Sequence, residues 1–163
     1  MVDIPTISIV IAATSVVAGA IYYTFQVRHL VKTRQTDLVI RLHANATSKE
    51  LQEAYGKVMS MEFKGYDDFV NKYGELTSEK PVPVAIRMVC GHLAEVGFLL
   101  SRRLVEIDLV YGLFSGPARL TWEKIKPLQE IAQTELNYPR AYVWVEYLYN
   151  ELQKREHRGF KNG

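Results

Sequence analysis

Between Asp3 and Arg28 the chain carries no charged side chain, a run covering residues 4–27. As a helix rising about 1.5 Å per residue, the run spans roughly 36 Å, against a bilayer hydrocarbon core of about 30 Å. Its interior is Ile, Val, Ala and Gly with a few Ser and Thr, whose hydroxyls can bond back to a carbonyl of the same helix. Tyr22 and Tyr23 stand near the far end, where an amphipathic ring prefers the headgroup layer, and Arg28, His29, Lys32 and Arg34 follow. The run predicts a transmembrane helix at about 4–27, with the lipid bilayer as its partner. A buried core helix fits less well, because the run is long and lacks an amphipathic stripe.

Orientation follows from the basic residues. No Lys or Arg precedes the run, whereas Arg28, Lys32 and Arg34 follow it closely, so the N-terminus is expected outside and the remainder in the cytoplasm of a cell-membrane protein. Ala18-Gly19-Ala20 has the small-residue form of a cleavage site, and a secreted protein beginning near Ile21 is the competing reading. Against it stand the leader, whose only charge is Asp3, and the apolar character that continues to Phe25. Ser15 and Gly19 form a small-xxx-small pair that could bring two such helices together, one route to a homo-oligomer. Lipid-facing filler is the plainer reading of that pair.

No Pro or Gly interrupts residues 25–43, and Val27, Leu30, Val31, Leu38, Val39 and Leu42 keep a helical stripe. The anchor is therefore expected to continue as an amphipathic stalk to about residue 45. Its stripe could pack on the chain's own domain, on the membrane or on another copy. The domains are set as 1–45 for anchor and stalk, 46–156 for a cytoplasmic helical domain, and 157–163 for a flexible basic tail.

Averages conceal this layout. The mean hydropathy of −0.08 and net charge of +2 describe an ordinary soluble chain. Yet residues 1–45 carry +2, the tail from Lys154 onward carries +3, and the body between them carries −3. A mildly acidic domain between basic ends suits a membrane surface better than a nucleic-acid groove. With 48% hydrophobic residues the chain is not disordered, and the single Cys90 cannot form an internal disulfide.

The body reads as all-α, a compact bundle of about five helices with no convincing period-two run. Thr47 and Glu50 have capping-box spacing and open the first helix. Gly65 and Gly74 bracket a short helix, with Asp67-Asp68 at its start. A loop from Leu76 through Pro81 and Pro83 precedes a helix from about Val84, whose inner stripe is Ile86, Val89, Cys90, Leu93, Val96, Gly97 and Leu100. After a turn at 102–105 comes a short helix through Phe114, with Glu106 and Asp108 placed to cap it. Ser115-Gly116-Pro117 reads as a break and Pro127 as a kink in the next helix. Asn137-Tyr138-Pro139 breaks the chain again before an aromatic helix over about 141–155.

Few constellations carry chemistry. His29, His43, His92 and His157 are scattered, and Cys90 and His92 point to different sides of a helix, so neither a metal nor another cofactor is expected. Glu95 sits three residues after His92 and seven before Arg102. It could be a partly buried carboxylate paired with arginine, and these three residues are the weak catalytic candidates. A structural ion pair is the plainer reading, so an enzyme is the less favoured class. No nucleic-acid partner is expected either, because the helix after the turn is acidic at its start and apolar beyond. Tyr142, Tyr147 and Tyr149 form the candidate surface for an unknown protein partner, with core packing as the alternative.

Glu95-Val96-Gly97, Asp108-Leu109-Val110-Tyr111, Trp122 with Pro127, and Glu146-Tyr147-Leu148 resemble a family of small prokaryotic single-pass, membrane-anchored α-helical proteins catalogued as a domain of unknown function. The resemblance covers about residues 5–155 and departs from the family where Val145 stands before Glu146. It implies one transmembrane helix and a helical body, and lends no catalytic residue. The leading functional expectation is a membrane-tethered, non-catalytic interaction or regulatory module.

Overall fold

The computed structural model describes residues 3–134, 140 and 142–160. Among them every regular element is a helix: α1 Ile4–Ala46, α2 Lys49–Ser60, α3 Tyr66–Tyr73, α4 Pro81–Ser101, α5 Ile107–Thr134 and α6 Val143–Phe160. Two compact units divide the chain between Asp37 and Leu38.

In the first unit, every side chain from residue 11 to 34 is exposed, with apolar residues on all sides of the helix. The hydroxyls of Ser15 and Thr24 donate to the carbonyls of Ile11 and Ala20, each at 2.8 Å. Thr33 and Thr36 make the same bond to His29 and Lys32 at 3.0 Å. Each hydroxyl is thus satisfied within its own helix, as an apolar surrounding would demand.

The second unit takes in the last part of α1. Val39 and Leu42 are buried in the core and Leu38 and Ala46 pack against it, whereas Val27, Leu30 and Val31 are exposed. The body therefore begins at Leu38 rather than at residue 46. Thr47 completes α1, its amide bonding to His43 and its hydroxyl to Ala44. That leaves Ser48 to cap α2 by accepting from the Leu51 amide at 3.3 Å, one residue later than the expected capping box. In the first turn of α3, whose N-cap Gly65 offers no side chain, Asp68 ties the incoming chain to the helix by accepting from the Lys64 amide and from Lys72, each at 2.9 Å. These bonds hold its carboxyl below the usual range, Lys72 first and the Lys64 amide second.

Helix α4 is the centre of the body and packs on α2, α5 and α6. It starts at Pro81, earlier than the expected Val84, because both prolines lie in the first turn, where no amide hydrogen is needed. The whole expected stripe from Ile86 to Leu100 is buried, joined by Ala85 and His92. Among the described residues α4 is long and apolar enough to cross a membrane, but half of that stretch is buried in the body. Its C-terminus closes through Arg103, which adopts φ +56 where glycine is usual.

Helix α5 is continuous. Pro117 lies inside it, as does Pro127, so Ser115-Gly116-Pro117 is not a break. Both prolines are exposed, so their rings lie on the outer side of the helix. Helix α6 opens at Tyr142, whose carbonyl accepts from the Val145 and Glu146 amides. It runs to Phe160, so the expected flexible tail is helical over 157–160. Residues 135–139, with the expected Asn137-Tyr138-Pro139 break, residue 141 and residues 161–163 lie outside the described residues. Val145, Leu148 and Leu152 bury one side of α6, and Gly97 lets α4 meet it closely: a Cβ at Gly97 would collide with the Trp144 carbonyl oxygen.

Candidate functional site

The three candidate catalytic residues do not converge. Glu95 is exposed, not partly buried, because its position on α4 lies outside the stripe that α2, α5 and α6 cover. Among the described residues it takes part in no ion pair. Arg102 is exposed too, its guanidinium 5.3 Å from the centre of the Phe98 ring. His92, by contrast, is 95% buried, at 5% relative exposure.

The surroundings of His92 are built from three helices. Its Nδ1 lies 3.5 Å from the Asn45 amide nitrogen, at the end of α1. Its ring is tilted against Phe114 of α5 at 5.9 Å, and His43 meets the same phenyl edge-on at 6.2 Å. His92 Nε2 is buried without a hydrogen-bond partner. Burial holds the imidazole below its ordinary pKa of 6.5, and Glu95 only partly opposes this. A neutral, buried imidazole between helices is a packing element, and among the described residues no three His, Cys, Asp or Glu side chains gather as a metal site.

The three candidate partner tyrosines lie at the margin of the core. Tyr142, Tyr147 and Tyr149 are half-buried and pack against the core. Tyr149 stacks on Trp122 at 5.9 Å, and Tyr147 meets Trp144 edge-on at 6.0 Å. The aromatic helix supplies a wall of the core. Arg28, Lys32 and Arg34 are all exposed on α1.

A cleft of about 580 Å³ opens beside α4 and had no counterpart in the sequence reading. Cys90, Gly91 and Ala94 form its α4 side, Val143, Trp144 and Val145 its α6 side, and Leu76, Thr77 and Ala132 add further surface. Its space comes from small side chains: a Cβ at Gly91 would meet nothing within 4 Å. Arg87 and Glu79 stand at the edge with Arg140. Arg87 donates to the Leu76 and Ser78 carbonyls at 2.9 Å and to Glu79 at 2.8 Å, tying the α3–α4 connection to α4. Cys90 is buried and free, and desolvation pushes its thiol pKa well above the ordinary value, so it is a neutral part of the lining rather than a nucleophile.

The sequence signals for this cleft were Gly91 and Ala94 recurring on one helix with Arg87 a turn before them, a pattern that also fits plain helix packing. The cleft is mostly apolar with a cationic edge, which suits binding more than bond-breaking chemistry. No known protein family, characterised protein or solved structure matches this chain, so the resemblance to the membrane-anchored helical family rests on its short motifs alone.

Proposed function

We propose that this is a single-pass membrane protein whose helical body is a tethered interaction or regulatory module, N-terminus outside and body in the cytoplasm. One observation carries the reading: α1 exposes apolar side chains on every side through residues 11–31. So much exposed apolar surface is stable in lipid and costly in water. The internal hydroxyl bonds of Ser15 and Thr24, the exposed Tyr22 and Tyr23, and the cations Arg28, Lys32 and Arg34 support the same placement. The body has its own buried core and its own ligand-sized cleft, as a module presented at a membrane requires. Glu95 is exposed and lies outside the cleft lining, so the reading that supports binding rests on the cleft rather than on this carboxylate.

Extraction of native membranes with alkaline carbonate tests the anchor. The chain should stay in the pellet and keep its residues before Ile21. Release of a chain beginning near Ile21 would establish the secreted reading instead. In sealed vesicles of native orientation, a membrane-impermeant maleimide should reach Cys90 only after the body is unfolded from its cytoplasmic side. Labelling from the outer side would overturn the orientation.

A further inference from the structure

We propose that the cleft beside α4 is a binding site for an amphipathic anion, an apolar chain ending in a carboxylate or phosphate. The cleft lies wholly within the body, so the inference stands apart from the membrane reading. Its volume, about 580 Å³, falls among those of small-molecule sites. Cys90, Ala94, Trp144 and Val145 give it an apolar lining that water wets at a cost and an alkyl chain covers. Gly91 keeps it open, since no neighbouring atom occupies the space a side chain there would take.

The edge decides the charge of the occupant. Arg87 is matched by Glu79 and held by two carbonyls, so it is a rigid border. Arg140 is exposed at the apolar opening, and among the described residues no acidic side chain pairs with its guanidinium. Guanidinium binds carboxylate and phosphate oxygens through paired N–H donors, which an uncharged head group cannot match. In a body that is otherwise mildly acidic, such a cation favours an anionic head group at this opening.

Trp144 lines the cleft and Trp122 does not, so the full-length chain carrying Trp122→Phe has one reporter. In amphipathic polymer, bromine-tipped undecanoate should quench Trp144 saturably, and bromine-tipped undecanol should bind about tenfold more weakly, the worth of one charge-assisted hydrogen bond. Gly91→Leu should abolish the quenching by filling the cleft, and Arg140→Gln should remove the preference for the acid. The same titration of the unsubstituted chain, where only the Trp144 share of emission should fall, guards against damage by Trp122→Phe. A second arm uses nanodiscs containing brominated phosphatidylglycerol. Quenching there that Gly91→Leu removes assigns a bilayer lipid as occupant, and quenching by undecanoate alone assigns a free single-chain anion. Quenching in neither arm, quenching unchanged by Gly91→Leu, or equal binding of acid and alcohol would overturn the proposal.

Discussion

Two glycines on α4, six residues apart, should respond to the same substitution with opposite signs. An added Cβ at Gly97 lies 3.0 Å from the Trp144 carbonyl carbon and 3.2 Å from the Leu148 Cβ, and it collides with the Trp144 carbonyl oxygen. Backbone cannot swing aside as a side chain can, so Gly97→Ala must push α4 and α6 apart by roughly 1 Å, a gap that forfeits about a quarter to a half of each contact across it. Leu93, Val96 and Leu100 on α4 and Val145, Leu148 and Leu152 on α6 are all buried, and the two helices pack on each other. Overpacking of this kind costs about 1–3 kcal/mol, and the helix preference of Ala over Gly returns up to about 1 kcal/mol. The expected net loss is about 1–2 kcal/mol. Gly91→Ala meets nothing within 4 Å and should stabilise by about 0.5–1 kcal/mol through propensity alone. Urea unfolding of the full-length chain in mild detergent, followed by Trp fluorescence, reads both. With a slope of about 2 kcal/mol per molar, the midpoints should move by about 0.5–1 M down and about 0.3–0.5 M up. A Gly97→Ala midpoint at or above that of the unsubstituted chain would refute the close approach of α4 and α6.

Three further outcomes follow from the geometry. Because burial lowers the His92 pKa below its unfolded value of 6.5, its contribution to stability is complete above that pH and shrinks as pH falls below it; His92→Gln should flatten the stability profile between pH 7 and pH 5. Arg155 pairs with Asp108 at 2.7 Å and also covers the Tyr111 ring at 5.0 Å, so Arg155→Ala should cost more than Asp108→Asn, whose loss should stay below about 1 kcal/mol in a double-mutant cycle. Pro117→Ala should raise the unfolding midpoint, since α5 runs through this exposed position and Ala restores a helical donor at roughly 3 kcal/mol better propensity, less the unfolded-state entropy it returns; no gain in midpoint would point to a chain break there.

How much of this was legible beforehand differs from residue to residue. The spacing of Ile86, Val89, Cys90, Leu93, Val96 and Leu100 named the buried side of α4 correctly, because a 3.6-residue period places those side chains on one face whatever covers them. The two flanking glycines of α3, with Asp67-Asp68 in its first turn, were equally plain, since helix ends are settled within a few residues. Pro117 misled because its local cost is real but was outweighed by the burial of Val110, Phe114, Ala118 and Ile125 on either side of it. Glu95 misled because an apolar helix suggested a buried neighbour, while its own bearing on that helix faces outward.

The sequence by itself determined the charge-free opening run, the all-helical character of the chain, and the inner faces of its helices, for these depend on composition and on periods spanning a few turns. Tertiary structure decided that the core begins at Leu38, that Gly97 is closed against α6 while Gly91 stands open, and that His92 is buried against Asn45. The closure at Gly97 and the burial of His92 depend on residues about fifty positions away, Trp144 and Asn45, and the open space at Gly91 depends on what fails to fill it. A period tells which side of a helix seeks cover; only packing tells what arrives there.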